Sequence, residues 1–191
     1  MKTYLRPALV LFVLLTLITG VAYPLLITGI GQALFPAQAN GSVVERDGKP
    51  VGSSLVGQAF SAPKYFWSRP SATSPMPDNG SASSGSNLGP TNAALVDAVQ
   101  GRIDALRKAD PTNKHPIPVD LVTASASGLD PHISIAAARY QAGRVASTRN
   151  VPVERVNALI EQTQETAVLG FIGEPRVNVL ALNLALDAIK L

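Results

Sequence analysis

Pro7-Ala8-Leu9-Val10-Leu11-Phe12-Val13-Leu14-Leu15 opens a stretch that runs to Phe35 without one charged residue. A helix needs about 20 apolar residues, at roughly 1.5 Å each, to cross a hydrocarbon core of about 30 Å. This stretch exceeds that by about two turns. It reads as a membrane-spanning helix that tilts or extends into the headgroups. The chain then divides into a short N-terminus over 1–6, a spanning helix over 7–35 and a soluble domain over 36–191. Pro24 has no N–H to offer the carbonyl of Gly20, which predicts a kink around Gly20–Pro24. Thr16 and Gly20 form a small-xxx-small pair, a face that lets another helix approach closely, although the same spacing also arises by chance in an apolar helix.

Lys2 and Arg6 precede the segment, whereas Glu45, Arg46, Asp47 and Lys49 follow it with balanced charge. The positive-inside rule therefore places the N-terminus in the cytoplasm and the domain on the extracytoplasmic side. The rival reading is a cleaved signal peptide, since Ala37-Gln38-Ala39 has the small residues of a cleavage site. A signal sequence has an apolar core of about 7 to 15 residues. The segment is too long for that.

At 191 residues the chain has room for one ordinary domain beside its anchor. The net charge of +3 comes from scattered residues, without the basic stripe and aromatic platforms of a nucleic-acid surface. The chain contains no cysteine, which removes disulfides, thiolate zinc sites and thiol nucleophiles together.

Beyond the anchor, Val43-Val44 and Ser54–Gln58 read as short strands around the turn residues Asp47-Gly48-Lys49-Pro50, which makes a hairpin. Tyr65-Phe66-Trp67-Ser68-Arg69-Pro70-Ser71 gathers aromatic residues beside an arginine. The rings suit a core anchor, and Arg69 is left for a carboxylate or a partner. From Ala72 to Thr91 the composition is that of a long loop. Thr91 or Asn92 caps a helix to about Lys108, with Leu95, Val99, Ile103 and Leu106 on one face. Val119–Ala124 reads as a buried strand, followed by a loop over Ser125–Gly128. Asp130 before Pro131 has the form of an N-cap that opens a helix to about Thr148. A further helix is expected from Pro152 to about Leu169, then a strand over Arg176–Leu180 and a last helix over Asn183–Lys190. The fold class is α/β or α+β, a domain with a small sheet and several helices, preceded by one transmembrane helix.

Ser125, Ser127, Asp130 and His132 invite comparison with a serine hydrolase. Strand-to-helix turns use the same residues for backbone reasons, and no G-x-S-x-G elbow is present. His115 and His132 are the only histidines, and they do not form an H-x-x-x-H pair, which argues against a transition-metal site. Gly85-Ser86-Asn87-Leu88-Gly89-Pro90-Thr91-Asn92 leads into a helix N-terminus, where an anion is favoured, but it lacks the P-loop lysine and spacing. The oxygens of this loop, those of Asn87 and Asn92 included, also suit a monovalent cation.

Four blocks carry a resemblance. They are Tyr65-Phe66-Trp67-Ser68-Arg69-Pro70-Ser71-Ala72, the Gly85–Asn92 block, Asp120–Ser134 with Leu129-Asp130-Pro131-His132 at its centre, and Gly173-Glu174-Pro175-Arg176-Val177-Asn178-Val179-Leu180. Behind an N-terminal membrane helix and in this order, they resemble the C subunit of the Kdp-type potassium-transporting ATPase. The resemblance implies a non-catalytic subunit of a bacterial inner-membrane complex. Its partners there would be a channel-like potassium-translocating subunit, a P-type ATPase subunit and a small membrane peptide. It also implies a role in assembly and as a catalytic chaperone that raises the ATP affinity of the ATPase subunit. The Asp-Lys-Thr-Gly phosphorylation motif is absent from this chain, so ATP would belong to the partner. The turn Ser125, Ser127 and Gly128 is the candidate nucleotide-related loop, and Arg69, Asn87 and Asn92 are candidates to face a partner or the ion. Since ATP is cytoplasmic, an extracytoplasmic domain fits a gate at the potassium entrance more directly than a nucleotide contact. A lone exported hydrolase or a secreted binding protein would lack such partners.

The length of the apolar segment predicts a mature protein with an intact N-terminus. N-terminal sequencing of purified protein should begin at Met1 or Lys2; a start at Asn40 would contradict the retained anchor.

Overall fold

The computed structural model describes residues 2–167 and 169–189, which divide into two compact units, Met1–Pro50 and Val51–Leu191. In the first unit, α1 (Lys2–Leu17), a π-helical turn (Ile18–Ala22) and α2 (Tyr23–Leu34) follow without interruption. Residues Thr3–Leu34 form one helix of 32 residues, long and apolar enough to cross a membrane. The π turn lies where the kink was expected. Tyr23 N–H reaches back to the carbonyl of Ile18, so the wider turn takes up the register that Pro24 disrupts. After Phe35 the short α3 (Pro36–Ala39) folds back, and the side-chain amides of Gln32 and Asn40 exchange hydrogen bonds at 3.1 and 3.2 Å.

Strands β1 (Val43–Arg46) and β2 (Lys49–Ser53) form a two-stranded sheet. Asp47 and Gly48 between them both have positive φ, 54° and 71°, the backbone of a two-residue hairpin turn. The second strand thus precedes the expected Ser54–Gln58. Ser53 Oγ accepts the Leu55 N–H at 3.1 Å and turns the chain there.

The second unit is α+β. Its helix α4 (Ala93–Ala109) begins as expected, with the Asn92 side chain accepting the Ala94 N–H. Val119–Ala124 is no strand: Val119–Leu121 is a 3₁₀ turn, which buries Leu121 and Val122 and lets the Asp120 carboxylate accept the Ser134 N–H at 2.8 Å.

The small sheet is antiparallel throughout, in the order β3 (His132–Ser134), β5 (Arg176–Asn178), β4 (Gln164–Glu165). Ile133 and Val177 lie opposite each other at its centre, and both are buried. Each of β3 and β5 ends in a residue that caps the helix after it. Ser134 Oγ accepts the Ala137 N–H and starts α5 (Ile135–Arg149); Asn178 Oδ1 accepts the Ala181 N–H and starts α7 (Val179–Asp187).

Three expected boundaries are corrected by this pairing. Asp130 is not the N-cap of α5, because residues 132–134 pair with β5 first. The last helix begins at Val179 and shortens the expected strand, while its expected end at Lys190 lies outside the described residues. Helix α6 (Val153–Thr163) stops well before Leu169 because Gln164 and Glu165 pair with β5. The small residues Ala137, Ala138, Ala142 and Ala146 are buried on α5, which packs on α6 with its buried Val156 and Ile160.

Phe66, itself buried in this core, and Trp67 have no strand beside them among the described residues, yet their backbone groups are paired. Asn183 Oδ1 accepts the Phe66 N–H at 2.9 Å and its Nδ2 donates to the Phe66 carbonyl at 3.0 Å. Gln141 does the same for Trp67, at 2.8 and 3.1 Å. Arg144 donates to Gln141 and to the carbonyls of Pro63 and Tyr65, and its guanidinium lies 4.4 Å from the centre of the Trp67 ring. Burial pulls its pKa down to about 10, so it remains charged at neutral pH.

Asn183→Leu keeps the branched shape and heavy-atom count of the side chain but strands the Phe66 N–H and carbonyl. At about 1 to 3 kcal/mol for each unpaired buried group, denaturant unfolding of the full chain in detergent should show a loss of at least about 2 kcal/mol. A neutral result would show that the pairing carries no stability.

Candidate functional site

The segment leaving Trp67 brings Arg69, Ser71 and Thr73 against the turn 124–130. Arg69 Nη1 meets Asp130 Oδ2 at 3.0 Å, and its Nε is buried without a hydrogen-bond partner among the described residues. The Pro70 carbonyl accepts the Ser125 N–H at 3.0 Å. Ser71 Oγ donates to the Gly128 carbonyl at 2.7 Å and accepts the Asp78 N–H at 3.0 Å. Thr73 Oγ1 donates to the Met76 carbonyl and accepts the Asn79 N–H. The Ser127 carbonyl accepts the Ser84 N–H at 2.9 Å, and the Leu129 carbonyl accepts the Gly57 N–H at 2.8 Å. Three loop segments are therefore tied to one turn, and a fourth, 76–79, is tied to it through Ser71 and Thr73.

Glycine makes that closeness feasible. Gly128 has φ +68°, and a Cβ there would lie 2.6 Å from both the Ser84 carbonyl oxygen and Thr73 Cγ2. A Cβ on Gly85 would lie 2.7 Å from the Ala126 oxygen. Asp78, against Gly57, has its pKa raised by burial.

The hydroxyls of the candidate nucleotide-related loop are engaged within the turn. Ser125 Oγ accepts the Gly128 N–H at 3.2 Å, Ser127 Oγ accepts the Leu129 N–H at 3.1 Å, and the two hydroxyls lie 3.1 Å apart. Asp130 Oδ1 accepts the His132 N–H at 3.0 Å, bridging Pro131. The His132 ring lies 3.3 Å from Glu165 and 3.6 Å from Asp130; among the described residues no serine hydroxyl bonds to it. No three His, Cys, Asp or Glu side chains gather as metal ligands among the described residues.

The structure thus brings Ser125, Ser127, Gly128 and Arg69 together. Asn92 stands apart as the cap of α4, and Asn87 is exposed at φ 51°. Thr16, Gly20 and Pro24 lie in the long helix of the first unit, where a Cβ on Gly20 would meet nothing within 4 Å among the described residues. Gln141, Arg144 and Asn183, which position the segment carrying Arg69, were missed from sequence. For Asn183 the available signal was its place on an apolar helix: it lies within Val179-Leu180-Ala181-Leu182-Asn183-Leu184, where a polar residue invites a buried partner.

A family model described as K+-transporting ATPase, c chain (KdpC) matches residues 5–188. The chain is 70% identical over 190 residues to a protein of Polaromonas naphthalenivorans (strain CJ2), covering 100% of this chain and 97% of that one. It is 66% identical over 187 residues to one of Herminiimonas arsenicoxydans, covering 98% of each. A third relative, from Methylococcus capsulatus, is 60% identical over 190 residues and covers 100% of both. All three bear the name potassium-transporting ATPase KdpC subunit.

The turn's tolerance should follow its packing. Gly128→Ala forces a side chain into left-handed backbone and onto the Ser84 oxygen, and should cost more than about 2 kcal/mol. Ser127→Ala removes hydroxyl contacts alone and should cost about 0.5 to 1.5 kcal/mol. Denaturant unfolding of both variants checks the order; equal costs would contradict it.

Proposed function

The chain belongs to the KdpC family, the c chains of K+-transporting ATPases, and from that premise we propose how this accessory subunit of potassium import works. It is a non-catalytic subunit that stabilises the assembled pump and acts as a catalytic chaperone, raising the ATP affinity of the ATP-hydrolysing subunit. Its partners are a channel-like potassium-translocating subunit, a P-type ATPase subunit and a small membrane peptide. The long apolar helix crosses the inner membrane with its N-terminus in the cytoplasm, because Lys2 and Arg6 flank that end. The second unit is then extracytoplasmic, and Thr16, Gly20 and Pro24 offer a packing face to a partner helix.

The observation that carries this reading is the engagement of Ser125, Ser127 and Asp130 by backbone N–H groups. Groups spent in this way hold a turn; a direct phosphate contact at Ser125, Ser127 and Gly128 would have to displace them. The effect on ATP is therefore indirect. A subunit that binds the ATP-competent state of its partners more tightly than the other state raises apparent ATP affinity by the same factor. The same outward placement suits a gate at the potassium entrance, with exposed Asn87 as a candidate to face the ion or a partner.

Mild-detergent extraction of the full chain expressed with the other pump genes tests the assembly reading. It should co-purify with two larger polytopic chains, and Ser127→Ala should leave the half-saturating ATP concentration of the potassium-stimulated ATPase unchanged. Recovery of the chain alone would contradict assembly, and a selective shift in ATP dependence would favour direct contact.

A further inference from the structure

A cavity of about 310 Å³ opens in the second unit between the segment 67–71 and helix α4. Its walls are largely carbon, from Phe60, Trp67, Pro77, Leu106 and Leu121. Three charged side chains also line it: Arg69, Arg102 and Asp78. Arg69 is matched by Asp130 at 3.0 Å. Arg102 is not: its Nη1 donates to the Val122 carbonyl at 2.8 Å, and among the described residues it forms no ion pair with a carboxylate. Burial lowers its pKa, the signature of a cation held partly out of water without a counter-charge. Asp78, whose pKa burial raises, lines the same cavity, and among the described residues it forms no ion pair with Arg102.

Apolar surface continues on neighbouring residues. Met76, next to Pro77, is 59% exposed, and Val119, two residues before Leu121, is 69% exposed. The cavity lies at the small end of the range for small-molecule sites, about 300 to 1,000 Å³. That size, with apolar surface around it, suits one anchoring side chain of a polypeptide whose flanks lie over the rim.

We propose that this cavity receives a segment of a partner subunit of the pump, with an apolar side chain seated among Phe60, Trp67 and Leu106 and a neighbouring carboxylate paired with Arg102. The proposal rests on the reading of the chain as an assembly subunit and names the chemistry it meets. Desolvation at the apolar floor strengthens the ion pair, and the pair selects an acidic segment over a merely greasy one.

The absence of cysteine from the chain permits a direct test. Ala105 is exposed and lines the cavity, so Ala105→Cys in the full chain supplies a single reporter thiol. Maleimide should label it about tenfold more slowly in the assembled pump than in the free chain. Ala105→Trp, which fills the mouth, should cut co-purification with the other subunits about tenfold, and Arg102→Gln should flatten the salt dependence of assembly. If the chain carrying its native Ala105 and Arg102 fails to co-purify, the assembly reading fails and the proposal falls with it. If that chain assembles and the thiol of Ala105→Cys reacts equally fast bound and free, the proposal is overturned while the assembly reading stands. Undiminished co-purification of Ala105→Trp overturns it too. Should Ala105→Trp fail to fold, the labelling comparison decides alone.

Discussion

The side-chain amides of Gln141 and Asn183 stand in for a missing β-strand. Each accepts from the N–H and donates to the carbonyl of one residue, Trp67 and Phe66 respectively, as a strand neighbour would. Both amides are almost fully buried, 1% exposed each, so either is costly to leave unpaired and neither has water as an alternative. The pairing ties helices α5 and α7 to a segment that belongs to no sheet. Its continuation supplies Arg69 to Asp130, the Pro70 carbonyl to Ser125 and the Ser71 hydroxyl to Gly128. Both the knot of loops and one wall of the cavity are set by where Phe66 and Trp67 are held.

The elements that could be read from the sequence are those fixed by local chemistry. A charge-free apolar run specifies the long helix, Asn92 caps α4, and Asp47-Gly48 supplies the left-handed pair of a hairpin. The elements misread are those decided by pairing with distant residues. Asp130 and Ser134 are both good cap residues; what selects Ser134 is that Ile133 lies opposite Val177, which no local pattern reveals. The same pairing ends α6 early, through Gln164 and Glu165. Val119–Ala124 has the apolar content of a strand but is turned by the 3₁₀ bonds from Leu121 to Pro118 and from Val122 to Val119. Within the candidate site, the association of the serine-rich turn with Arg69 was only partly visible. Arg69 calls for a carboxylate or a partner, and nothing local indicates that Asp130 meets it.

This arrangement bears on how an accessory subunit without its own phosphorylation motif can influence a pump. The loops around Gly128 are held by a network of hydrogen bonds, so a partner that met them would incur little ordering cost. The apolar cavity beside them combines a ready-made shape with Arg102, a cation without a carboxylate partner among the described residues. Rigid presentation of a few specific groups is what recognition between subunits requires.

Amide hydrogen exchange at Phe66 and Trp67 in the full-length protein tests the account most directly. If the Gln141 and Asn183 amides act as a strand neighbour, both N–H groups should exchange as slowly as those of the buried sheet at Ile133 and Val177, and Asn183→Leu should speed exchange at Phe66 and Trp67 and in the turn 125–130 together. Exchange at Phe66 and Trp67 as fast as in the exposed loop 80–90, or an Asn183→Leu effect that never reaches the turn, would contradict it.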